Sequence, residues 1–194
     1  MAVSLKKGGS ISLTKDAPAL KKILVGLGWK ESETDGEDFD LDASAFMVKD
    51  NGKVRSDKDF IFYGQLESSN GAVQHQGDEL SGGTGDEDSE QIHIDLEKIP
   101  DLIKRIVFTV TIYEADDRGQ NFGQVESAYI RIVNRDNGKE IVRFDLSEDY
   151  DTETAMIFGE VYRHNNEWKF KAVGEGVTGS LGVLCEKFGV EVAD

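Results

Sequence analysis

The chain has 194 residues, of which 38% are hydrophobic, a composition typical of a globular protein with one sizeable core. Its formal net charge of −16, from 38 acidic and 22 basic residues, argues against direct nucleic-acid binding and favours cations as ligands. The single cysteine, Cys185, excludes an intrachain disulfide and a thiolate-rich zinc site.

The predicted elements, taken in chain order, are mostly strands. Alternating or β-branched-rich runs predict strands near 3–5, 10–13, 23–29, 39–48, 59–63, 91–96, 105–113, 127–134, 140–145, 154–163 and 167–174. Turn residues at 50–52, 70–71, 136–138 and 165–166 favour tight hairpins between neighbours. Apolar spacing predicts one short helix over 180–188, stopped by Gly189, and a short turn joins strands around 96–103. We therefore expect a β-sandwich of two antiparallel sheets with a short C-terminal helix, forming a single domain over 1–194.

Hydrophobic runs in the chain are short. None approaches the roughly 18 apolar residues that a transmembrane helix requires, and the first ten residues lack the apolar region of a signal peptide. With a lone cysteine suited to a reducing compartment, the expectation is a cytoplasmic protein that does not insert into a membrane.

Three aspartates share one face of a predicted strand. Asp38, Asp40 and Asp42 alternate with apolar residues, and side chains two apart in a strand lie roughly 6.6 Å from one another. At that spacing two like charges repel by roughly 0.6 kcal/mol in water, and by about four times more at an effective dielectric near 20. Either solvent or a bound metal ion must compensate for this repulsion.

A second acidic stretch covers residues 77–90, GDELSGGTGDEDSE, which we call the acidic segment. Calcium favours carboxylate and carbonyl oxygens, and glycines let a loop turn its carbonyls inward. A solvated acidic loop is an equally good interpretation of the segment alone. Neither acidic stretch matches an EF-hand, because loops starting at Asp38 or Asp86 place Ala43 or Gln91 where that loop requires glycine.

Counting strand directions gives a test of whether the two acidic stretches meet. The loop 30–38 and the polar stretch 114–123 fall at the same end of the sandwich. The same count predicts that residues 73–76 run towards the opposite end. The acidic segment would then have to reverse direction to reach Asp38 and Asp40.

Several blocks of the sequence occur together in one known family. They are MAVSLKKGGSISLTK at the start, GLGW at 26–29, DFDLDAS at 38–44, the Gly77-Asp78 pair, YEADDRGQNFGQV at 113–125 and TAMIFGEVYRHNNEWKFKAVG at 154–174. In this order they resemble the TerD family of tellurium-resistance and stress proteins, over essentially the whole chain. The resemblance implies a β-sandwich, bound calcium with more than one ion, a cytoplasmic location and a role in stress response. It also implies protein partners, such as a TerC-type membrane protein and other Ter-family proteins.

The calcium motifs of that family can be carried over by position. The ligands implied by the resemblance are Asp38, Asp40, Asp42, Gly77, Asp78, Asp86, Asp88 and Glu90. Within the acidic segment this chain departs from the family pattern, with Glu79, Glu87 and Ser89 at positions where asparagine, glycine and an acid are familiar.

Catalytic alternatives are weaker. A metal-dependent hydrolase could use the same carboxylates, but no Ser-His-Asp arrangement, GxSxG motif or phosphate-binding loop is present. An enzyme acting on tellurium oxyanions would need a basic site and more than one thiol. GEGVTG at 174–179 matches GxGxxG in form, yet too little chain follows it for a dinucleotide-binding unit, so a turn and helix entry is expected.

Structural roles are the expected ones for several other residues. Cys185 is predicted to pack on the helix's apolar face, Trp29 and Trp168 to fill the core, and His164 to sit in a solvated turn. Asp116, Asp117 and Asn121 either cap a helix or line the rim of a metal site, and the structural role is favoured.

Overall fold

The computed structural model describes residues 1–31, 39–77, 88–146 and 150–192. Its strands are β1 (Val3–Leu5), β2 (Ser10–Ser12), β3 (Lys22–Glu31), β4 (Leu41–Val48), β5 (Phe60–Ile61), β6 (Val73–His75), β7 (Glu90–Asp95), β8 (Arg105–Ile112), β9 (Val125–Asn134), β10 (Glu140–Asp145), β11 (Ala155–His164) and β12 (Glu167–Val177). The α-helices are α1 (Ala115–Arg118) and α2 (Leu181–Phe188), and short 3-10 helices cover Asp57–Asp59, Leu96–Lys98 and Phe122–Gln124.

The strands form two six-stranded sheets. Sheet A has the order β1-β10-β9-β3-β7-β6, and sheet B has the order β2-β12-β11-β8-β4-β5. All neighbours pair antiparallel except β1 and β10, which are parallel. This confirms the predicted β-sandwich with a short C-terminal helix.

The main core lies between the two sheets and takes the alternate side chains of their strands. In β3, for example, Val25 and Leu27 are fully buried, and Trp29 is buried beside them. Trp168 lies in the same core, as its sequence position predicts. The burial of these residues on one face explains why core-facing apolar residues occur at every second position of β3.

A second, smaller core lies on the outer face of sheet B. Helix α2 begins at Ser180, whose side chain accepts a hydrogen bond from the Gly182 N–H, and ends at Gly189 in a left-handed conformation. Its apolar face, which includes Cys185 and Phe188, packs against Phe46 of β4. Burial raises the pKa of the Cys185 thiol, as expected for a packing residue. Because α2 covers sheet B, β4 is buried on both faces.

The turn between β11 and β12 shows how local chemistry sets strand register. Asn165 and Asn166 have φ of 49° and 61°, the conformation that a two-residue hairpin needs at both positions. His164 then pairs with Glu167, and the antiparallel register continues down both strands. His164 is exposed at this turn, as predicted.

One topological prediction was wrong. Residues 73–75 form β6, which pairs antiparallel with β7 and therefore runs towards the end where the acidic stretches lie. The direction count missed an additional reversal, because Glu67 bridges to Gln74 across a tight turn around Gly71. The acidic segment thus begins at the same end of the sandwich as Asp40, and no reversal of chain direction is needed.

Among the described residues, no helix combines the length and the hydropathy of a transmembrane span.

Candidate metal site at the acidic end

Several strands begin or end at one pole of the sandwich, which we call the acidic end. Strands β3, β6 and β8 end there, at Glu31, His75 and Ile112, and β4 and β7 begin there. The stretch after β8 also lies there, since the Tyr113 N–H donates to the Asp40 carbonyl at 2.8 Å. The predicted position of residues 114–123 is therefore confirmed.

The aspartates that precede and open β4 lie on its outer face. Phe39, Leu41 and Ala43 are buried in the main core, as the alternation predicts. Asp40 is exposed, whereas Asp42 is only 9% exposed and lies opposite Thr111 of β8. Asp38 lies outside the described residues.

The residues of the acidic segment that the structure describes, Gly77 and 88–90, lie at this end. Gly77 follows β6 and has a left-handed φ of 87°. Its N–H donates to Nδ1 of His75 at 2.9 Å. Asp78 and Asp86, which the resemblance implies as ligands, lie outside the described residues.

Glu90 connects the two sheets where the acidic segment ends. Its Oε2 accepts a hydrogen bond from the Ala43 N–H of β4 at 2.7 Å, and it lies 3.1 Å from Nε2 of His75. The same His75 nitrogen lies 3.1 Å from the Ala43 carbonyl oxygen. Glu90 and His75 are 3% and 5% exposed, so this contact is internal.

Asp88 is held on the outer face of sheet A by four hydrogen bonds. Its Oδ1 accepts from the Tyr129 hydroxyl and from Nε of Arg131, both at 2.8 Å. Its Oδ2 accepts from Nη2 of Arg131 at 2.7 Å and from the Gln91 amide at 3.0 Å. The Asp88 side chain is 1% exposed, so the bidentate guanidinium compensates for a buried charge.

Two glycines of β3 make room for this network. A Cβ at Gly26 would overlap the Asp88 carboxylate, and a Cβ at Gly28 would overlap the Tyr129 ring. The GLGW sequence therefore alternates core residues with positions left empty for groups that cross the strand.

Arg131 and Tyr129 have electrostatic properties that fit this role. The hydrogen bonds that Arg131 donates to Asp88 raise the pKa of Arg131 above its ordinary value. Burial, then the hydrogen bond to Asp88, raises the pKa of the Tyr129 hydroxyl. The Arg143 guanidinium also lies 3.8 Å from the centre of the Tyr129 ring. The two pKa shifts favour a neutral tyrosine and a charged guanidinium as the donors to Asp88.

The family follows from a comparison with known proteins. A family model described as the TerD domain matches residues 1–188. The chain belongs to the TerD family. It is 55% identical over 193 residues to the tellurium resistance protein TerD of Serratia marcescens, covering 100% of both chains. It is also 49% identical over 193 residues to general stress protein 16U of Bacillus subtilis, covering 99% of this chain and 100% of that one.

Solved structures agree with the fold. A homologue of telluride resistance protein (TerD) from Streptomyces coelicolor superposes with a TM-score of 0.65, covering 86% of this chain and 95% of that one at 19% identity. The sequence resemblance to the TerD family, and the sandwich it implies, are confirmed.

The donors of this TerD-family chain fit a hard divalent cation only in part. Across 1–31, 39–77, 88–146 and 150–192, no three His, Cys, Asp or Glu side chains converge to hold a metal ion. Asp40 and Asp42 nevertheless offer carboxylate oxygens on one face, and Gly77 carries a backbone carbonyl at the start of the acidic segment. These are the oxygen donors that calcium takes, and further ligands have to come from outside the described residues.

Other residues at or near this end of the TerD-family fold have structural contacts. The Asn121 side chain caps the 3-10 helix Phe122–Gln124, with a reciprocal bond from its own N–H to the Gln124 side chain. Asp116 and Asp117 lie in α1 with exposed side chains. The GEGVTG match at 174–179 begins within the last part of β12, a strand that pairs antiparallel with β11 and β2, unlike the first strand of a dinucleotide-binding unit.

Sequence reasoning missed three residues at this end: His75, Tyr129 and Arg131. His75 lies 15 positions from Glu90 and Arg131 lies 43 positions from Asp88, so no local motif joins these residues to their partners. The only available signal was the pair Gly26 and Gly28, because glycines at alternate positions of a strand indicate that something crosses its face.

Proposed function

We propose that this protein is a calcium-binding stress-response protein of the tellurium-resistance type, which acts in the cytoplasm without catalysis. One observation carries the proposal: the end of the acidic segment is hydrogen-bonded to the strand that carries the aspartates, through Glu90 and Ala43. Two acidic stretches far apart in sequence therefore meet at one pole. The relatives named for tellurium resistance and general stress supply the biological context.

The proposed calcium ligands come from both stretches. They are Asp38, Asp40 and Asp42 beside β4, and Gly77, Asp78 and Asp86 in the acidic segment. Bound calcium would supply positive charge, with six to eight oxygens at about 2.3–2.6 Å. It would offset the repulsion between Asp40 and Asp42, and it would order the segment between Gly77 and Asp88. More than one ion is proposed, as the resemblance to the TerD family implies.

The non-catalytic role is proposed over a metal-dependent hydrolase. The relatives are named as resistance and stress proteins rather than as enzymes. The carboxylates of Asp88 and Glu90, which a hydrolase would need to expose to substrate, are buried in contacts with Arg131 and His75. These buried carboxylates fit a non-catalytic calcium-binding protein better than they fit a hydrolase.

Calorimetric titration tests the calcium proposal. Calcium added to metal-free protein is expected to give a saturable binding heat, while magnesium binds much more weakly because it dehydrates reluctantly and demands octahedral geometry. The proposal is contradicted if calcium gives no heat beyond dilution, or if magnesium competes equally.

The acidic end also carries an exposed aromatic surface that we propose as the partner-binding face. Rings stack from Phe46 through Phe60 to Phe62, with centroids 4.6 and 4.2 Å apart, and Phe62 meets Tyr63 edge-on at 5.1 Å. This ladder runs from the buried core beneath α2 to a tyrosine that is 53% exposed. A buried stack thus holds Tyr63 rigidly at the surface.

Tyr113 lies near Tyr63, and the charged groups around it support a cationic partner segment. Hydrogen bonding to Glu114 raises the pKa of the Tyr113 hydroxyl, with a smaller effect from Tyr63. The guanidinium of Arg118 lies 5.5 Å from the Tyr113 ring centre and pairs with Glu114. Exposed tyrosines beside the acids Asp40, Asp116 and Asp117 suit a cationic segment of a partner protein, whose Lys or Arg side chains would stack on the rings. The proposed partners are a TerC-type membrane protein and other Ter-family proteins.

Replacing both tyrosines tests the partner face. The variant Tyr63→Ser with Tyr113→Ser is expected to weaken copurification with a TerC-type protein in detergent by at least about tenfold, since tyrosines dominate many interfaces. Leu102→Ser is the matched control, because Leu102 is 64% exposed and lies at the opposite end of the sandwich. Equal retention by the two variants would disprove the assignment of this face.

A further inference from the structure

The Asp88 carboxylate, near the end of the acidic segment, has contacts that leave little room for a metal. Each oxygen of Asp88 already accepts two hydrogen bonds, which is the full capacity of a carboxylate oxygen with two lone pairs. A metal ion could bind Asp88 only by displacing Arg131 from a buried bidentate pair. Such a carboxylate is used for anchoring and not for coordination.

Glu90 and His75 perform a different task, which is to complete an unpaired edge of β4. Strand β5 pairs with β4 only at Ala45 and Phe46. Nearer the acidic end, the N–H and C=O of Ala43 are bonded instead by Oε2 of Glu90 and Nε2 of His75. The two side chains of sheet A thus take the place of a neighbouring strand for sheet B.

The protonation of His75 follows from its partners. Nδ1 accepts a hydrogen bond from the Gly77 N–H, so the proton of the neutral ring lies on Nε2. Nε2 then donates to Glu90 and to the Ala43 carbonyl. One imidazole therefore fixes the start of the acidic segment, its end and the strand that carries Asp40 and Asp42.

We infer that Asp88 and Glu90 are anchoring residues rather than calcium ligands, and that His75, Tyr129 and Arg131 are the positioning residues of this site. Only the predicted effect of these residues on calcium affinity rests on the proposed calcium function. Both described ends of the acidic segment are held by contacts within the protein, at Gly77 through His75 and at Asp88 and Glu90 through Arg131 and Ala43. Positioning contacts of this kind tune affinity without touching the metal.

Glutamine and alanine at position 90 separate the anchoring role from a ligand role. Glu90→Gln keeps an oxygen that accepts from Ala43 and His75 but removes the charge that a calcium ligand needs. Its calcium affinity is expected to stay close to wild type in calorimetric titration. Glu90→Ala removes the contacts and is expected to lower affinity about 10–100-fold, as do losses of other positioning contacts. Asp42→Asn serves as the ligand control. An affinity for Glu90→Gln as low as that of Asp42→Asn overturns the inference.

Hydrogen exchange of the metal-free full-length protein tests the anchor without any calcium. The Ala43 and Gly77 amides are expected to be protected in wild type, and both are expected to lose protection in Glu90→Ala. His75→Gln can still donate to Glu90 through its amide N–H, but its oxygen is bonded to the same amide carbon and does not take the place of Nδ1, so only the Gly77 amide should exchange faster. Unchanged protection in all variants overturns the anchor, whereas a wild type that binds no calcium but shows this exchange pattern overturns only the calcium proposal.

Discussion

Arg131→Gln is expected to lower the free energy of unfolding by about 3–5 kcal/mol, because it leaves a buried carboxylate without its cation. The Asp88 side chain is 1% exposed and receives two of its four hydrogen bonds from Arg131. Glutamine cannot reproduce the bidentate geometry, and water cannot reach the site easily. Chemical denaturation monitored by circular dichroism measures the loss.

Two further variants show whether buried charge is the cause. Adding Asp88→Asn to Arg131→Gln removes the uncompensated carboxylate and is expected to recover part of the lost stability. Lys21→Gln removes a cation from the pair Lys21–Glu97, in which both side chains are more than half exposed, and is expected to cost about 0–1 kcal/mol. If Arg131→Gln costs no more than Lys21→Gln, the Asp88 network does not stabilise the fold as described.

Calcium is expected to raise the melting temperature by about 5–10 °C when present at roughly 100 times its dissociation constant. Binding to the folded state alone gives about 2.7 kcal/mol at that excess. For a chain of this size each kcal/mol shifts the melting temperature by about 2–4 °C. A chelator should reverse the shift, and magnesium should give a much smaller one.

The double variant Asp40→Asn with Asp42→Asn is expected to abolish that shift. Asparagine keeps the size of each side chain but removes the negative charge that favours calcium. Asp116→Asn with Asp117→Asn is the matched control, since it removes two neighbouring exposed acids of α1 that are not proposed as ligands. A calcium shift that survives in the first variant and disappears in the second would contradict the proposed ligand set.

Much of the sandwich could be predicted from local sequence because its signals are local. Alternation along β4 correctly places Leu41 and Ala43 inward and Asp42 outward. The Asn165-Asn166 turn and the Ser180 and Gly189 ends of α2 are also set by short-range chemistry. Strand β6 was missed, although it is no shorter than β1 and β2, which the sequence predicts.

The contacts at the acidic end could not be predicted, because they join residues far apart in sequence. Glu90 meets Ala43 across 47 positions, and Arg131 meets Asp88 across 43. Strand periodicity shows which face a residue takes, but not which side chain of another strand lies opposite. An acid in an acidic stretch therefore looks like a ligand in the sequence, even where the fold pairs it with a guanidinium.

A crystal structure of the calcium-loaded protein, with the anomalous signal of calcium measured, would locate the bound ions and their ligands. We expect calcium peaks about 2.3–2.6 Å from oxygens of Asp40 and Asp42, with Asp88 still bonded to Arg131 and Glu90 to Ala43. Calcium coordinated by Asp88 or Glu90 instead, or no peak beside β4, would contradict this expectation.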